Sequence, residues 1–131
     1  MSTAKIANQA VTIPVSVFTA DSFNSGDATW KTMQQISITS TGNPIYIHFS
    51  FAEGISGTTE NQICRIQLLR DSTVIYEPIT FQGLGYYLSV SVGIIDQPGA
   101  GNYTYYLQIY GGTGYSIVVW DRSIFLLEIK K

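Results

Sequence analysis

Hydrophobic and polar residues alternate along most of this chain with the two-residue period of β-strands. The cleanest run sets Ile45, Ile47, Phe49 and Phe51 against Tyr46, His48 and Ser50. Val11, Ile13, Val15 and Val17 alternate in the same way, and Pro14 marks that strand as an edge. Further strands are predicted over Trp30–Thr39, with Ile36 and Ile38 inward, and over Ile63–Leu69, Thr73–Tyr76 and Tyr86–Ile94. Next comes Tyr103–Tyr110, where Tyr103, Tyr105, Leu107 and Ile109 share a face. Turn-forming clusters separate these runs: Asp21–Thr29, Ser40–Pro44, Arg70–Ser72, Asp96–Gly101 and Gly111–Gly114. Ala52–Gln62 reads as a long polar loop. Two runs close the chain, Tyr115–Trp120 and Ser123–Ile129, with a hairpin expected between them.

The last run breaks the rule. Ile124, Phe125, Leu126 and Leu127 are consecutive, so both faces of that strand are apolar. An antiparallel sheet with one wet side needs a polar outer face. The second cover is therefore expected from another copy of the chain, which makes Ile124, Phe125, Leu126 and Leu127 candidate subunit-interface residues. No helical period occurs anywhere. About eight to ten strands at 8–14-residue spacing predict an all-β, antiparallel sandwich or barrel. Residues 1–10 read as a loose lead-in and 11–131 as one domain.

Composition narrows the function classes. The chain has 131 residues, of which only 12% are charged, with a net charge of −2. That balance gives no electrostatic handle for nucleic acid. Ser, Thr, Gly, Asn, Gln and Tyr replace the charge, as on secreted proteins and virion surfaces. Cys64 is the sole cysteine, so no internal disulfide can form, and it is expected as a buried small hydrophobe. No basic region with a long apolar run opens the sequence, and no apolar stretch is long enough to span a membrane. A surface composition without an export signal is expected for a protein assembled in a host cytoplasm and displayed on a virion.

Three segments, LLRDSTVI, DQPGAGNYTYYLQIY and DRSIFLLEIKK, together resemble the C-terminal ends of phage tail fibres and related virion proteins. The match covers roughly Ile63–Lys131. Such heads are similar in build to the jelly rolls of tumour necrosis factor and complement C1q. The resemblance implies a ten-stranded jelly roll and a homotrimer whose axis is lined by the C-terminal strand. It also implies a virion surface protein that binds a host receptor or glycan, or other virion proteins. A capsid decoration or structural protein is the alternative, and a carbohydrate-binding module a third possibility.

Chemistry is sparse. His48, the single histidine, lies mid-strand and is expected as a surface or interface residue, not a catalyst or metal ligand. The nine acids are scattered through turns with no spacing that marks a glycosidase pair or a calcium loop. Catalytic residues, metal and cofactor are expected to be absent, and the chain is not expected to be an enzyme. Asp96 is expected to bond the amides of its own turn, and Asp121 to pair with Arg122. The aromatics carry the best hint of binding. Trp30, Tyr86, Tyr87, Tyr110, Tyr115 and Trp120 flank loops or turns, offering rigid contact area with a polar tip, for stacking on sugar rings or for sealing a subunit interface. Of these, Trp30, Tyr86, Tyr87, Tyr115 and Trp120 are the candidate ligand-binding residues.

Overall fold

The computed structural model describes residues 14–26, 28–57, 63–82, 87–111 and 115–130. Nine strands run through them: β1 (Val15–Thr19), β2 (Phe23–Ser25), β3 (Trp30–Thr41), β4 (Ile45–Gly57), β5 (Ile63–Arg70), β6 (Thr73–Gln82), β7 (Tyr87–Asp96), β8 (Ala100–Gly111) and β9 (Tyr115–Glu128). They form two antiparallel sheets. One has the order β1-β9-β4-β7, with β2 also paired to β9, and the other has the order β3-β8-β5-β6. Apart from the β5–β6 hairpin, successive strands from β3 onward fall in alternate sheets. This pattern of a five-stranded and a four-stranded sheet joined by crossovers is the jelly-roll form of the β-sandwich.

The alternation in the sequence supplies the core directly. Ile45, Ile47, Phe49 and Phe51 of β4 meet Tyr105, Leu107 and Ile109 of β8 and Ile66 and Leu68 of β5, all buried between the sheets. Each strand therefore turns one edge of its two-residue pattern into a layer about 10 Å from its counterpart. The expected lead-in, residues 1–10, and the alternation of Val11 and Ile13 lie outside the described residues.

Four boundaries differ from the expectation. Phe23–Ser25 forms a short strand inside the predicted Asp21–Thr29 loop. It is held there by antiparallel pairing with Ile117–Val119 of β9, and its ends are pinned where Gly111 N–H donates to Ser25 Oγ at 3.3 Å and Arg122 Nη1 donates to the Asp21 carbonyl at 2.7 Å. Strand β4 runs on through Ala52–Gly57, because Glu53 and Gly54 pair on both sides, with Val119 and Val118 of β9 and with Leu88 and Tyr87 of β7. Strand β6 extends past Tyr76 to Gln82 by pairing with β5. The two closing runs are one strand. No hairpin separates them; a β-bulge opposite Phe51 absorbs the extra residue, with Asp121 at φ 53°.

β9 is not an outer seam. It sits inside its sheet, between β1 and β4. Ile124 and Leu126 point into the sandwich and are completely buried by their own chain. They are core residues, which corrects their assignment to a subunit interface. Phe125 and Leu127 point the other way and are half-buried.

Candidate functional site

The outer face of the β1-β9-β4-β7 sheet can be built row by row from the strand registers. One row sets Leu127, Tyr46 and Ile95 side by side. The next sets Ser16, Phe125, His48 and Gly93 together, and the third Phe18, Ser123, Ser50 and Ser91. A fourth holds Trp120, Ala52 and Ser89. Phe125 lies at the centre, two residues from Leu127 and diagonal to Tyr46 and Phe18. Phe18 is 63% exposed and Ile95 51% exposed, although both are large and apolar. The Tyr46 ring reaches across Gly93, where an added Cβ would sit 2.7 Å from the Tyr46 hydroxyl. Glycine at that position keeps the face flat.

The polar groups of this face bond to each other. His48 Nε2 and Ser91 Oγ are 2.8 Å apart, and Ser50 and Ser123 share a hydrogen bond of 2.7 Å. Next to them a shallow cavity of about 280 Å³ is lined by Ser50, Ala52, Ser89, Ser91 and Asp121. His48 is thus on the predicted side of the sheet, beside Phe125.

The outer face of the second sheet is organised differently. Trp30 and Tyr110 are neighbours, with ring centroids 5.5 Å apart. The Arg65 guanidinium lies 5.4 Å from the Trp30 ring and 6.0 Å from Tyr110, and Arg65 also pairs with Glu77 at 2.8 Å. The adjoining row is a hydrogen-bond chain. Gln67 Nε2 donates to Gln108 Oε1 at 2.6 Å, and Gln108 Nε2 donates to Thr32 at 3.1 Å. Beyond an apolar row of Tyr106, Leu69 and Val74, Ser37 bonds Thr104 and Thr39 donates to Asn102.

The five predicted ligand-binding aromatics are not brought together. Trp30 belongs to the second sheet and Trp120 to the outer face of the first, on opposite sides of the sandwich. Tyr86 lies outside the described residues. Tyr87 and Tyr115 occupy strand positions whose side chains lie outside the description. Trp30 is instead joined by Tyr110, another of the loop-flanking aromatics, and by Arg65, which the sequence reading missed. The signal was present, since β5 and β8 alternate cleanly, but face is legible in a sequence and strand pairing is not. The side chain of Cys64 also lies outside the description.

Of the three sequence segments singled out above, the first two meet through their charged residues, and the third ties its own to turns elsewhere in the chain. Arg70 Nη1 donates to both oxygens of Asp96, at 2.7 and 2.8 Å, and the Tyr105 hydroxyl donates to Asp96 Oδ2 at 2.7 Å. Arg70 and Tyr105 come from one sheet and Asp96 from the other, so the carboxylate clasps the sandwich shut. This corrects the expectation that Asp96 bonds its own turn; the turn is instead capped by Tyr103, whose hydroxyl donates to the Pro98 carbonyl at 3.0 Å. Burial, then the bond to Asp96, pushes the Tyr105 phenol well above its usual range. The bond to Asp96 holds Arg70 above its ordinary value.

In the third segment Arg122 does not pair with Asp121. It is buried, donates to the Asp21 carbonyl and lies 5.5 Å from the Phe23 ring. Glu128 is buried at the other end of β9. Burial alone would raise its pKa, but hydrogen bonds from the Thr41 hydroxyl and amide and from the Asn43 side chain and amide outweigh that and hold it down to about 2. These acids and bases are occupied in holding turns to strands. Among the described residues no three His, Cys, Asp or Glu side chains group as a metal site, and no helix is long and apolar enough to cross a membrane.

No protein-family model matches the sequence, and no curated protein matches it. Solved structures do. The chain is similar to a chain of infectious bursal disease virus Gx strain, with a TM-score of 0.58 and 10% identity over 91% of this chain and 36% of that one. It is also similar to the VP2 subviral particle of the same virus, with a TM-score of 0.54 and 10% identity over 92% and 37%. A third likeness is to Bacillus endospore appendages, described as a family of disulfide-linked pili: TM-score 0.51 and 12% identity over 95% of this chain and 96% of that one. The chain therefore spans about a third of the length of the viral chains it matches. At these identities the likeness shows the fold: an antiparallel jelly-roll sandwich of the kind found in viral proteins.

Proposed function

We propose that this chain is a non-enzymatic structural subunit of a virion surface that assembles with copies of itself through the outer face of the β1-β9-β4-β7 sheet. The observation that carries this reading is the apolar patch of Phe18, Tyr46, Ile95, Phe125 and Leu127. Its polar neighbours His48, Ser50, Ser91 and Ser123 bond among themselves, so they ask little of water or of a partner. Burial of exposed apolar surface is the main driving force of association, at roughly 25 cal/mol per Å². The number of copies, three, comes from the resemblance to trimeric virion heads, which also puts the C-terminal strand at the axis. The structures it is similar to belong to a virus, a subviral particle and pili, all built from repeated subunits; that support is by analogy of fold.

A decoration or structural role on a capsid and a receptor-binding role on a fibre both follow from this assembly. Purified particles and host cells separate them. A capsid component binds the particle in the absence of cells. A receptor-binding head binds host cells or their isolated glycans, and neither binding would sink the virion reading. The receptor-binding version is favoured by one specific feature, the half-exposed Trp30–Tyr110 pair beside Arg65, Glu77 and Gln67. An aromatic surface bordered by planar polar groups suits the apolar face and hydroxyls of a sugar ring. Trp30→Ala would abolish glycan-array signal under this version and would leave the assembled mass unchanged.

A further inference from the structure

Each sheet of an open sandwich has two edges, and an edge strand offers unpaired N–H and C=O groups to any other strand. Most of the edges here are blunted. β1 is five residues long, directly preceded by Pro14, and β2 has three residues. β3 carries Lys31 and a register shift between Thr32 and Gln34. β6 contains Glu77 and Pro78, and its pairing with β5 shifts twice. Strand β7 has none of these guards. It keeps an unbroken register with β4 for ten residues, from Tyr87 to Asp96, and has no proline and no charge before its last residue. Among the described residues it pairs with β4 alone.

The core beneath β7 is also incompletely covered. Val92 and Ile94 point inward but are only half-buried, and Leu88, on the same side, is 39% exposed. On the outward side Ile95 is 51% exposed. An added strand would cap both rows.

We propose that β7 pairs antiparallel with β7 of a second copy, about a two-fold axis at Ser91, so that two β1-β9-β4-β7 sheets become one. A second copy is the fitting occupant because only this pairing joins two unguarded edges. Residues opposite each other must point to the same side of the sheet, so the axis passes through a residue, not between two. With the axis at Ser91, Val90 faces the partner's Val92, Leu88 faces the partner's Ile94, and Ser89 faces the partner's Gly93. Two apolar pairs then continue the core and the serines stay outside. An axis at Val92 would instead set Leu88 against the partner's Asp96, whose carboxylate is committed to Arg70 and Tyr105. The contact uses the edge of the sheet, not its outer face, so it stands or falls independently of the proposed function.

Cysteine cross-linking tests it, with Cys64→Ala removing the native thiol. Ser91→Cys is compared with Ser89→Cys under mild oxidation, each with the outer face intact and with Phe125→Asp added to disable it. Directly opposed residues lie within disulfide reach, whereas Ser89 and its counterpart are separated by four residue pairs of register. The expected result is a covalent dimer from Ser91→Cys in both backgrounds, at least tenfold more than from Ser89→Cys. Equal yields at the two positions, no dimer at Ser91, or a dimer that vanishes with Phe125→Asp would each overturn the proposal.

Discussion

On the outer side of β3-β8-β5-β6, side chains are tied across the strands: Gln67 to Gln108 to Thr32, Arg65 to Glu77 and over Trp30, Ser37 to Thr104 and Thr39 to Asn102. Its apolar row of Tyr106, Leu69 and Val74 is flanked by those ladders. On the outer side of β1-β9-β4-β7 the balance is reversed. Leu127, Tyr46 and Ile95 form one apolar row, Phe125 and Phe18 extend it diagonally, and the polar side chains Ser16, His48, Ser50, Ser91 and Ser123 lie between and beyond them. Both faces belong to one small domain with the same core. Neither face is needed to fill the interior, so the polarity of each is free to follow what it meets: the cross-tied face suits water, and the apolar one suits the protein partner proposed above.

The comparison breaks most easily at Phe125. Phe125→Asp puts a charge at the centre of the apolar face while its side chain remains outside the core. Association through this face is expected to weaken by at least 100-fold, on the basis of roughly 2 kcal/mol or more for each buried Phe lost at an interface. Analytical ultracentrifugation across a concentration series measures it. A variant on the polar face, Gln108→Ala, is expected to leave association unchanged.

The next effect bears on the joint between the two sheets. Asp96→Ala leaves the half-buried Arg70 without its carboxylate and the buried Tyr105 without its acceptor. Removing one partner of such a pair costs about 3 kcal/mol, read as a lower urea midpoint. Association of the folded protein should persist, which separates loss of fold from loss of the face.

Acid provides a third test. Glu128 is more acidic in the folded chain, at about 2, than its ordinary 4.5. Its ionisation therefore favours folding, fully above about pH 4.5 and progressively less as the pH falls towards 2, by on the order of 2 kcal/mol. Glu128→Gln should flatten the acid limb of the stability profile below pH 4.5. The smallest effect belongs to the polar face. Gln108→Ala leaves the buried Gln67 amide without its acceptor and should cost about 1 kcal/mol in urea denaturation.

Much of the fold was legible because inward and outward positions alternate. Ile45–Phe51, Tyr103–Ile109 and Ile36–Ile38 needed no tertiary information. Phe23–Ser25 was not legible, because its residues favour turns and the strand exists through pairing with Ile117–Val119 of β9, far along the chain. The continuity of β9 was hidden by Asp121-Arg122, which reads as a turn but serves as a bulge with a buried arginine. The candidate site was half legible. Four consecutive apolar residues, Ile124–Leu127, announced a strand without a wet side, yet period alone could not tell which two faced the core. It also could not tell that Trp30 and Trp120 lie on opposite faces, since membership of a sheet depends on pairing partners distant in sequence.

Solution mass tests the central claim most directly. The 14.4 kDa chain should sediment as three copies or a multiple of three, and Phe125→Asp should remove that factor of three while preserving the β-sheet circular dichroism. A wild-type protein that remains at one or two chains at high concentration, with a mass unaffected by Phe125→Asp, would contradict assembly through the β1-β9-β4-β7 face.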